Sequence, residues 1–340
     1  ERTTKSKNDK GAVHEREITV KVQSLFLSVY SVPAPTASAS HRLAAGGISN
    51  MQSNLTKAFY DRQIDRAFRE PKILNLADYP RLVLFSDCHR GIGTGNDSFL
   101  NNKPLYEAAL NYYYARDFTY IELGDGDELW ENRDIADIAE IHSDVFARLA
   151  DFAAAGRLFL LWGNHDRIKS SPRFRPAAGT ASGFLPSATE ALILENPVGG
   201  RRIHLLHGHQ ADLLNNQFWQ IARWLVRYLW RPLELAGIKD PTSAAKNYQR
   251  RRAVGARLEN WARAHHTYLA AGHTHRPSLT LSESESWGYI NTGSCVHPNS
   301  ITCVELVYGQ IRLIKWILCA DENSYLKVCR HTLAGPKSIF

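Results

Sequence analysis

Five clusters of oxygen- and nitrogen-bearing side chains punctuate the sequence. They are Ser86-Asp87-Cys88-His89-Arg90-Gly91, Gly124-Asp125-Gly126-Asp127-Glu128, Gly163-Asn164-His165-Asp166, His207-Gly208-His209 and Gly272-His273-Thr274-His275. Carboxylate, carboxamide and imidazole are the ligands of Mn, Fe, Zn and related divalent ions. One residue separates Asp87 from His89, and one separates His273 from His275. On an extended strand end such a pair points to one side and can hold one ion. The clusters offer more donors than a single ion can use, so the pattern points to a two-metal site. A bound metal draws the pKa of its water towards neutrality, which makes metal-assisted hydrolysis the expected chemistry.

The elements that must position these clusters are short apolar runs. Arg81–Phe85, Thr119–Leu123, Leu158–Trp162, Arg202–Leu206 and Tyr268–Ala271 read as buried strands, and each runs directly into a cluster. In α/β sheets ligand sites gather where strands end and loops begin, so five such ends imply one shared polar site. Asn54–Arg69, which stops before Pro71, Pro104–Ala115 and Ile135–Ala155 read as helices. Leu192–Asn196 and Arg202–Leu206 read as a hairpin around Gly199-Gly200, and Ser170–Ser187 reads as a surface loop. Tyr289–Asn291, Ile301–Val307 and Ile311–Ile317 read as closing strands, and no internal repeat is visible.

Taken in order, the clusters resemble the signature of the calcineurin-like metallophosphoesterase superfamily: Asp-x-His, Gly-Asp-x-x-Asp/Glu, Gly-Asn-His-Asp/Glu, His, Gly-His-x-His. The resemblance covers Arg81 to Val307. It implies an α/β fold, a four-layer sandwich of two mixed β-sheets flanked by helices, with a helical cap insert. It further implies that Asp87, His89 and His275 bind one ion, that Asp125 bridges, and that Asn164, His207 and His273 bind the other. The cofactors would be two divalent ions, Mn first, Fe or Zn as alternatives, holding a bridging hydroxide for in-line attack on phosphorus. His165 is the candidate to protonate or stabilise the leaving oxygen. Glu128 stands where family members often place a carboxylate that orients this histidine; Asp166 and Asp127 are lesser candidates.

Several residues beside the motifs admit two readings. Cys88 should turn away from the ions as a buried thiol. His209 is an alternative ligand to His207, with His207 preferred because the family places its ligand first in His-Gly-x. Arg90 and Arg167 are candidates to hold a phosphate bidentately. Asn291-Thr292-Gly293-Ser294 resembles a turn that underlies the family's site.

The rest of the chain narrows the classes. With 340 residues, 44% apolar and 22% charged, it is neither wholly disordered nor dependent on disulfide staples. No apolar run reaches the roughly 18 residues of a membrane span. Five cysteines without a Cys-x-x-Cys pair argue against a disulfide framework and for a reducing, cytoplasmic setting. Residues 1–50 read as an extension, disordered or non-native, before Met51, with a fainter likeness to a targeting peptide; 51–340 read as the phosphoesterase domain.

Residues 212–265 form a basic helical insert with ten Lys or Arg against four Asp or Glu, +6 of the chain's +7. Arg223, Arg227 and Arg231 recur every four residues as one stripe on an otherwise aromatic helix. This insert would pack on the core or on a second copy of the chain, forming a homodimer. Alternatively it would cap the site over a phosphorylated small-molecule or lipid-linked substrate, or lie peripherally on a membrane surface. The principal reading is a metal-dependent phosphoester hydrolase. The alternatives are a membrane-peripheral pyrophosphatase similar to the UDP-diacylglucosamine hydrolases, a nuclease, for which the confined basic patch is weak support, and a non-catalytic metal-binding scaffold.

Overall fold

The structure is a computed structural model. It describes residues 42–340 apart from 96, 175–184, 217–219, 221–222, 225, 227–247 and 283, with side chains described from Asn54 onward, 214 excepted. Residues 1–41, and Arg227 and Arg231 of the expected arginine stripe, therefore lie outside the described residues.

The elements in chain order are α1 (Arg42–Ala67), β1 (Lys72–Asn75), β2 (Arg81–Phe85), α2 (Lys103–Tyr114), β3 (Thr119–Leu123), α3 (Ile135–Ile141), α4 (Ser143–Ala154), β4 (Leu158–Leu161), β5 (Ala191–Glu195), β6 (Arg202–Leu206), α5 (Tyr248–Ala264), β7 (Tyr268–Ala271), β8 (Ser278–Leu281), β9 (Gly288–Asn291), β10 (Ser300–Val307), β11 (Gln310–Ala320) and β12 (Leu326–Ser338). A single helical turn, Leu213–Asn216, follows β6. The strands make two six-stranded sheets, ordered β1-β5-β6-β7-β9-β8 and β12-β11-β10-β2-β3-β4.

β2, β3 and β4 are parallel, with Val83 opposite Tyr120 and Tyr120 opposite Leu158. Both of their faces are covered, which is why they read as unbroken apolar runs. Leu82, Leu84, Ile121, Leu123 and Leu161 meet Leu192, Leu194, Leu205, Ala270 and Ile290 between the sheets. Each fully buried Leu in that seam is worth about 1.5–3 kcal/mol over exposure, and this holds the two sheets face to face. On one outer face Phe85, Tyr120 and Leu160 pack against Tyr106, Tyr113, Leu149 and Phe152 of α2 and α4. On the other, Ile64, Val254, Leu258 and Trp261 of α1 and α5 cover Leu206, Leu269, Ala271 and Tyr289. The layers are thus helix, sheet, sheet, helix. β6, β7 and β9 are also mutually parallel, so each sheet delivers several strand ends to one edge.

Three expectations need correction. The stretch Ile135–Ala155 is two helices, not one. Asp134 caps α3 by accepting from the Ala136 amide at 2.9 Å, and the helix breaks at His142, whose φ of −111° and ψ of 35° leave the helical region. The break lets the buried His142 place Nε2 3.1 Å from Asp97 Oδ2 in a distant loop. The cysteines are not all unpaired: Cys319 and Cys329 form a disulfide across the β11–β12 hairpin, while Cys88, Cys295 and Cys303 are free and buried. Antiparallel pairing of Ile317 with Cys329 brings the two thiols together, a proximity that sequence spacing does not reveal. Finally, α1 begins at Arg42 rather than Asn54, and β1, β8 and β12 join the sheets although none carries a clean apolar alternation. They are the three strands at or next to open sheet ends, where burial is partial.

Candidate metal centre

The loops after β2, β3 and β7 do not continue as extended strand. Asp87, His89, Asp125, His273 and His275 adopt positive φ angles of 52°, 49°, 51°, 64° and 55°. The pairing of Asp87 with His89, and of His273 with His275, is therefore achieved by left-handed turns and not by strand alternation. Asp and His tolerate this region better than most residues. Such strain costs of order 1–3 kcal/mol per residue and persists only where the surroundings over-determine it. Here the Asp87, His89 and Arg90 amides donate to the carbonyls of Gly124, Asp125 and Gly126 at 2.9–3.1 Å, lacing the first two motifs together. The His273 amide donates to Asp87 Oδ2 at 2.9 Å and so ties the last motif to the first. Gly163 and Gly272 are required by close approach: a Cβ at Gly163 would overlap the Asp125 carboxylate, and one at Gly272 would overlap Ser86 and Asp87.

Within this frame the donors converge in groups whose ligand atoms lie within 4.8 Å of one another: Asp87 with His89 and His275, His89 with Asp125 and His165, and Asp125 with His207 and His273. The hydrogen-bond directions identify what the groups are for. His207 Nδ1 lies 2.8 Å from the Leu123 carbonyl, which can only accept, so Nδ1 carries a proton. In neutral His207 the lone pair is then on Nε2, which faces Asp125 Oδ2 at 3.0 Å. Two acceptors in van der Waals contact repel unless a cation lies by them. His89 is also held through Nδ1. Its Nδ1 is 2.9 Å from Glu128 Oε2, and its Nε2 faces His275 Nε2 at 3.3 Å. Asp87 Oδ1, His207 Nε2 and both amide atoms of Asn164 are buried and make no hydrogen bond, a cost that an ion would remove. The oxygen and imidazole donors, with no thiolate among them, suit a divalent Mn, Fe or Zn.

The electrostatics tell the same story. Burial opposes charge on His207 and His89, yet the Asp125 and Asp87 carboxylates push His207 up to about 9. Against the same opposition, Glu128 and Asp125 push His89 up to about 10. Burial would raise Asp87 and Asp125, but the imidazoles around them outweigh it and hold both below the ordinary carboxylate range. The pocket is a field for positive charge, and protons and metal ions compete for it.

His165 stands at the edge of this cluster. Its Nδ1 lies 2.9 Å from Glu128 Oε1, its amide donates to Asp125 Oδ1 at 2.8 Å, and the Trp130 ring stacks on it at 4.2 Å and 21°. Burial disfavours its charged form, but Glu128 and Asp125 win and raise its pKa. One carboxylate, Glu128, thereby holds both His89 and His165. The link to His89 and the Trp130 platform are not visible in the sequence motifs, although Trp130 lies only two residues past Glu128.

Other candidates have different surroundings. Asp166 is turned from His165: Oδ1 accepts the amides of Gly163 and Asp125, at 2.7 and 3.3 Å. Its Oδ2 accepts the Gly126 amide and Lys169. It shapes the loops instead of meeting the reacting groups. Arg90 is 1% exposed; its fork clasps Glu122 at 2.8 and 3.0 Å while Nε donates to Asp127 at 2.7 Å. Those bonds commit the guanidinium to the interior, which corrects the expectation that Arg90 holds a phosphate. Arg167 lies over the Trp162 ring and donates to the Asn216 carbonyl at 2.8 Å. Cys88 packs in the core with Cys295 and Cys303. His209 is buried between the Trp162 and His207 rings, and burial keeps it neutral. Asn291 donates to the Gly272 carbonyl at 2.7 Å and so supports the last motif from below.

A family model described as calcineurin-like phosphoesterase matches residues 80–277. Solved structures that match include a conserved uncharacterized protein of Streptococcus pneumoniae TIGR4, a predicted phosphoesterase. It is 16% identical, with 74% of this chain and 97% of that chain covered and a TM-score of 0.32. Vps29 of Chaetomium thermophilum also matches, 13% identical over 74% of this chain and 95% of that chain, with a TM-score of 0.37. No curated protein matches the sequence.

Proposed function

The chain belongs to the calcineurin-like phosphoesterase family, and on that premise we propose that it is a hydrolase of phosphoesters working through a dinuclear metal centre. The observation that carries the two-metal reading is the convergence of buried carboxylate and imidazole donors in two groups, Asp87 with His89 and His275, and Asp125 with His207 and His273. His207 Nε2 opposes Asp125 Oδ2 at 3.0 Å, and His89 Nε2 lies 3.3 Å from His275 Nε2. Asp87, His89 and His275 would hold one ion, Asn164, His207 and His273 the other, and Asp125 would be shared.

When bound, such ions supply Lewis-acid polarisation of the phosphoryl group and an activated water. The chain's own residues do the rest. Glu128 accepts from His165 Nδ1, which leaves Nε2 to give a proton to the departing oxygen, and the raised pKa of His165 keeps that proton available near neutrality. Trp130 fixes the plane of the ring. Arg167, two residues past His165, would meet a substrate anion. Manganese is the first expectation for the metal, and a phosphorylated small molecule or lipid-linked phosphate for the substrate. No helix among the described residues is long and apolar enough to cross a membrane.

The test is elemental analysis together with hydrolysis of an aryl phosphate by metal-free protein reloaded with Mn. Two ions per chain and turnover lost to a chelator are expected. Saturation at one ion or none would end the dinuclear reading, and two ions without turnover on any mono- or diester would leave a metal-binding scaffold.

A further inference from the structure

We propose that Asp212 positions the imidazole of His273, and that Arg250 on α5 holds Asp212 in place, so that the trunk of the basic insert sets the affinity of one of the two ion positions. The inference rests on the dinuclear reading above.

Asp212 follows β6, the first motif-bearing strand of its sheet, just past the turn His209–Ala211. It is 3% exposed. Its Oδ2 stands 3.3 Å from His273 Nε2, and its Oδ1 receives Arg250 at 2.6 Å. Asn215 Nδ2 also donates to Oδ2, at 3.1 Å. An ionised carboxylate only accepts, so the proton of neutral His273 sits on Nε2 and its lone pair on Nδ1. Nδ1 is then the nitrogen left for an ion beside Asp125 and His207. The same device serves two other imidazoles with different acceptors: the Leu123 carbonyl for His207 and the Glu128 carboxylate for His89. An outer carboxylate fixes the tautomer and ring plane of a metal-binding histidine and makes it more basic, and losing it typically costs about 10–100-fold in metal affinity.

Arg250 is what makes Asp212 part of the insert. Arg257, seven residues on and therefore on the same face of α5, donates to the Ala211 carbonyl at 2.9 Å. Two arginines of one helix face thus grip consecutive residues of the turn. The same face of α5 is anchored along its length, since Val254, Leu258 and Trp261, four, eight and eleven residues past Arg250, are buried against β7 and β9. Charge that composition attributes to a generic basic patch is, at Arg250 and Arg257, spent on the turn that carries Asp212.

The experiment is a calorimetric titration of the metal-free full chain with MnCl2, with melting temperature followed in parallel. Wild type is expected to show two sites. Asp212→Ala should weaken one site by about 10–100-fold and leave the other unchanged. Asp212→Asn, which keeps an acceptor oxygen for Nε2, should recover part of that loss. Arg250→Gln should shift the same site in the same direction by less, while Arg252→Gln, which makes no bond to Asp212, should shift neither. Equal weakening of both sites with a lowered melting temperature would mean that Asp212 supports only the fold, and unchanged binding in Asp212→Ala would overturn the proposal outright. If Asp212→Ala does not fold, Arg250→Gln decides on the same criteria. Fewer than two ions in wild type would instead remove the dinuclear reading on which the inference stands.

Discussion

Two buried groups of charges lie side by side in this protein and have opposite bonding states. One is Arg90 with Glu122, Asp127, Lys169 and Asp166. Arg90 reaches both Glu122 and Asp127, and Lys169 lies 2.7 Å from both Asp127 and Asp166. None of its side-chain nitrogens or oxygens lacks a partner. The other is the cluster of Asp87, Asp125, Asn164, His207 and their neighbours, where buried donors and acceptors are left over. The same motifs feed both: Asp87 and His89 go to one and Arg90 to the other, Asp125 and Glu128 to one and Asp127 to the other, Asn164 and His165 to one and Asp166 to the other. Residue type does not separate them. A saturated network behaves as scaffold, because it can take no further ligand without breaking a bond, and the unsaturated one is where a ligand lowers the free energy.

The sharpest way to break this comparison is Asp125→Ala. It removes the carboxylate shared between the ion groups, so activity should fall to background and bound metal should drop in elemental analysis. Full activity with undiminished metal would show that the unsaturated cluster is not the working site. Next in size is His165→Ala. With an alkyl phosphoester, whose leaving oxygen needs a proton, the rate should fall by about 10²–10⁴-fold. An aryl ester should lose much less, and metal content should not change. Equal losses on both substrates would assign His165 to phosphate binding.

The saturated network should respond differently. Arg90→Met leaves Glu122 and Asp127 buried without their cation, a change that typically costs about 3–5 kcal/mol of stability. Denaturant unfolding should report that loss, while the protein that remains folded keeps its metal. A variant as stable as wild type but defective in KM would return Arg90 to the substrate.

The smallest effect concerns pH in metal-free protein. His207 and His89 are raised from 6.5 to about 9 and about 10. Their contribution is fully present below about pH 6.5 and is lost as pH rises through the folded values. Glu128 is lowered from 4.5 to about 2, because His165 and His89 outweigh its burial. Its contribution is present above about pH 4.5 and is lost as pH falls towards 2. Metal-free protein should therefore melt highest between about pH 4.5 and 6.5 and lose stability on the alkaline side. Saturating Mn should flatten the alkaline arm, since a coordinated lone pair no longer needs a proton. An alkaline arm of the same slope with and without Mn would mean that these histidines do not face the ions.

Much of the site was open to a reader of the sequence, and for a local reason. Ligand-type residues sit within a few positions of one another, at the ends of apolar runs whose burial on both faces makes them recognisable, as in Leu82–Phe85 and Tyr120–Leu123. Gly163 and Gly272 flank the motifs because the Asp125 and Asp87 carboxylates pass where a side chain would stand. By itself the sequence thus determined the motif-bearing strands, the order of the clusters and the class of chemistry, all of which depend on near neighbours. What only the tertiary structure decided depends on partners far along the chain. Arg90 and Arg167 look alike in sequence, yet Glu122 and Asp127 draw one into the interior. Asp166 looks like a companion to His165 until three loop amides claim it. Glu128 serves His89 across 39 positions, His142 breaks a helix to reach Asp97, and Cys329 meets Cys319 only because β12 folds back along β11. Backbone strain at Asp87, His89 and His273 has the same origin: left-handed turns are unfavourable locally, and they hold because hydrogen bonds to other motifs fix them.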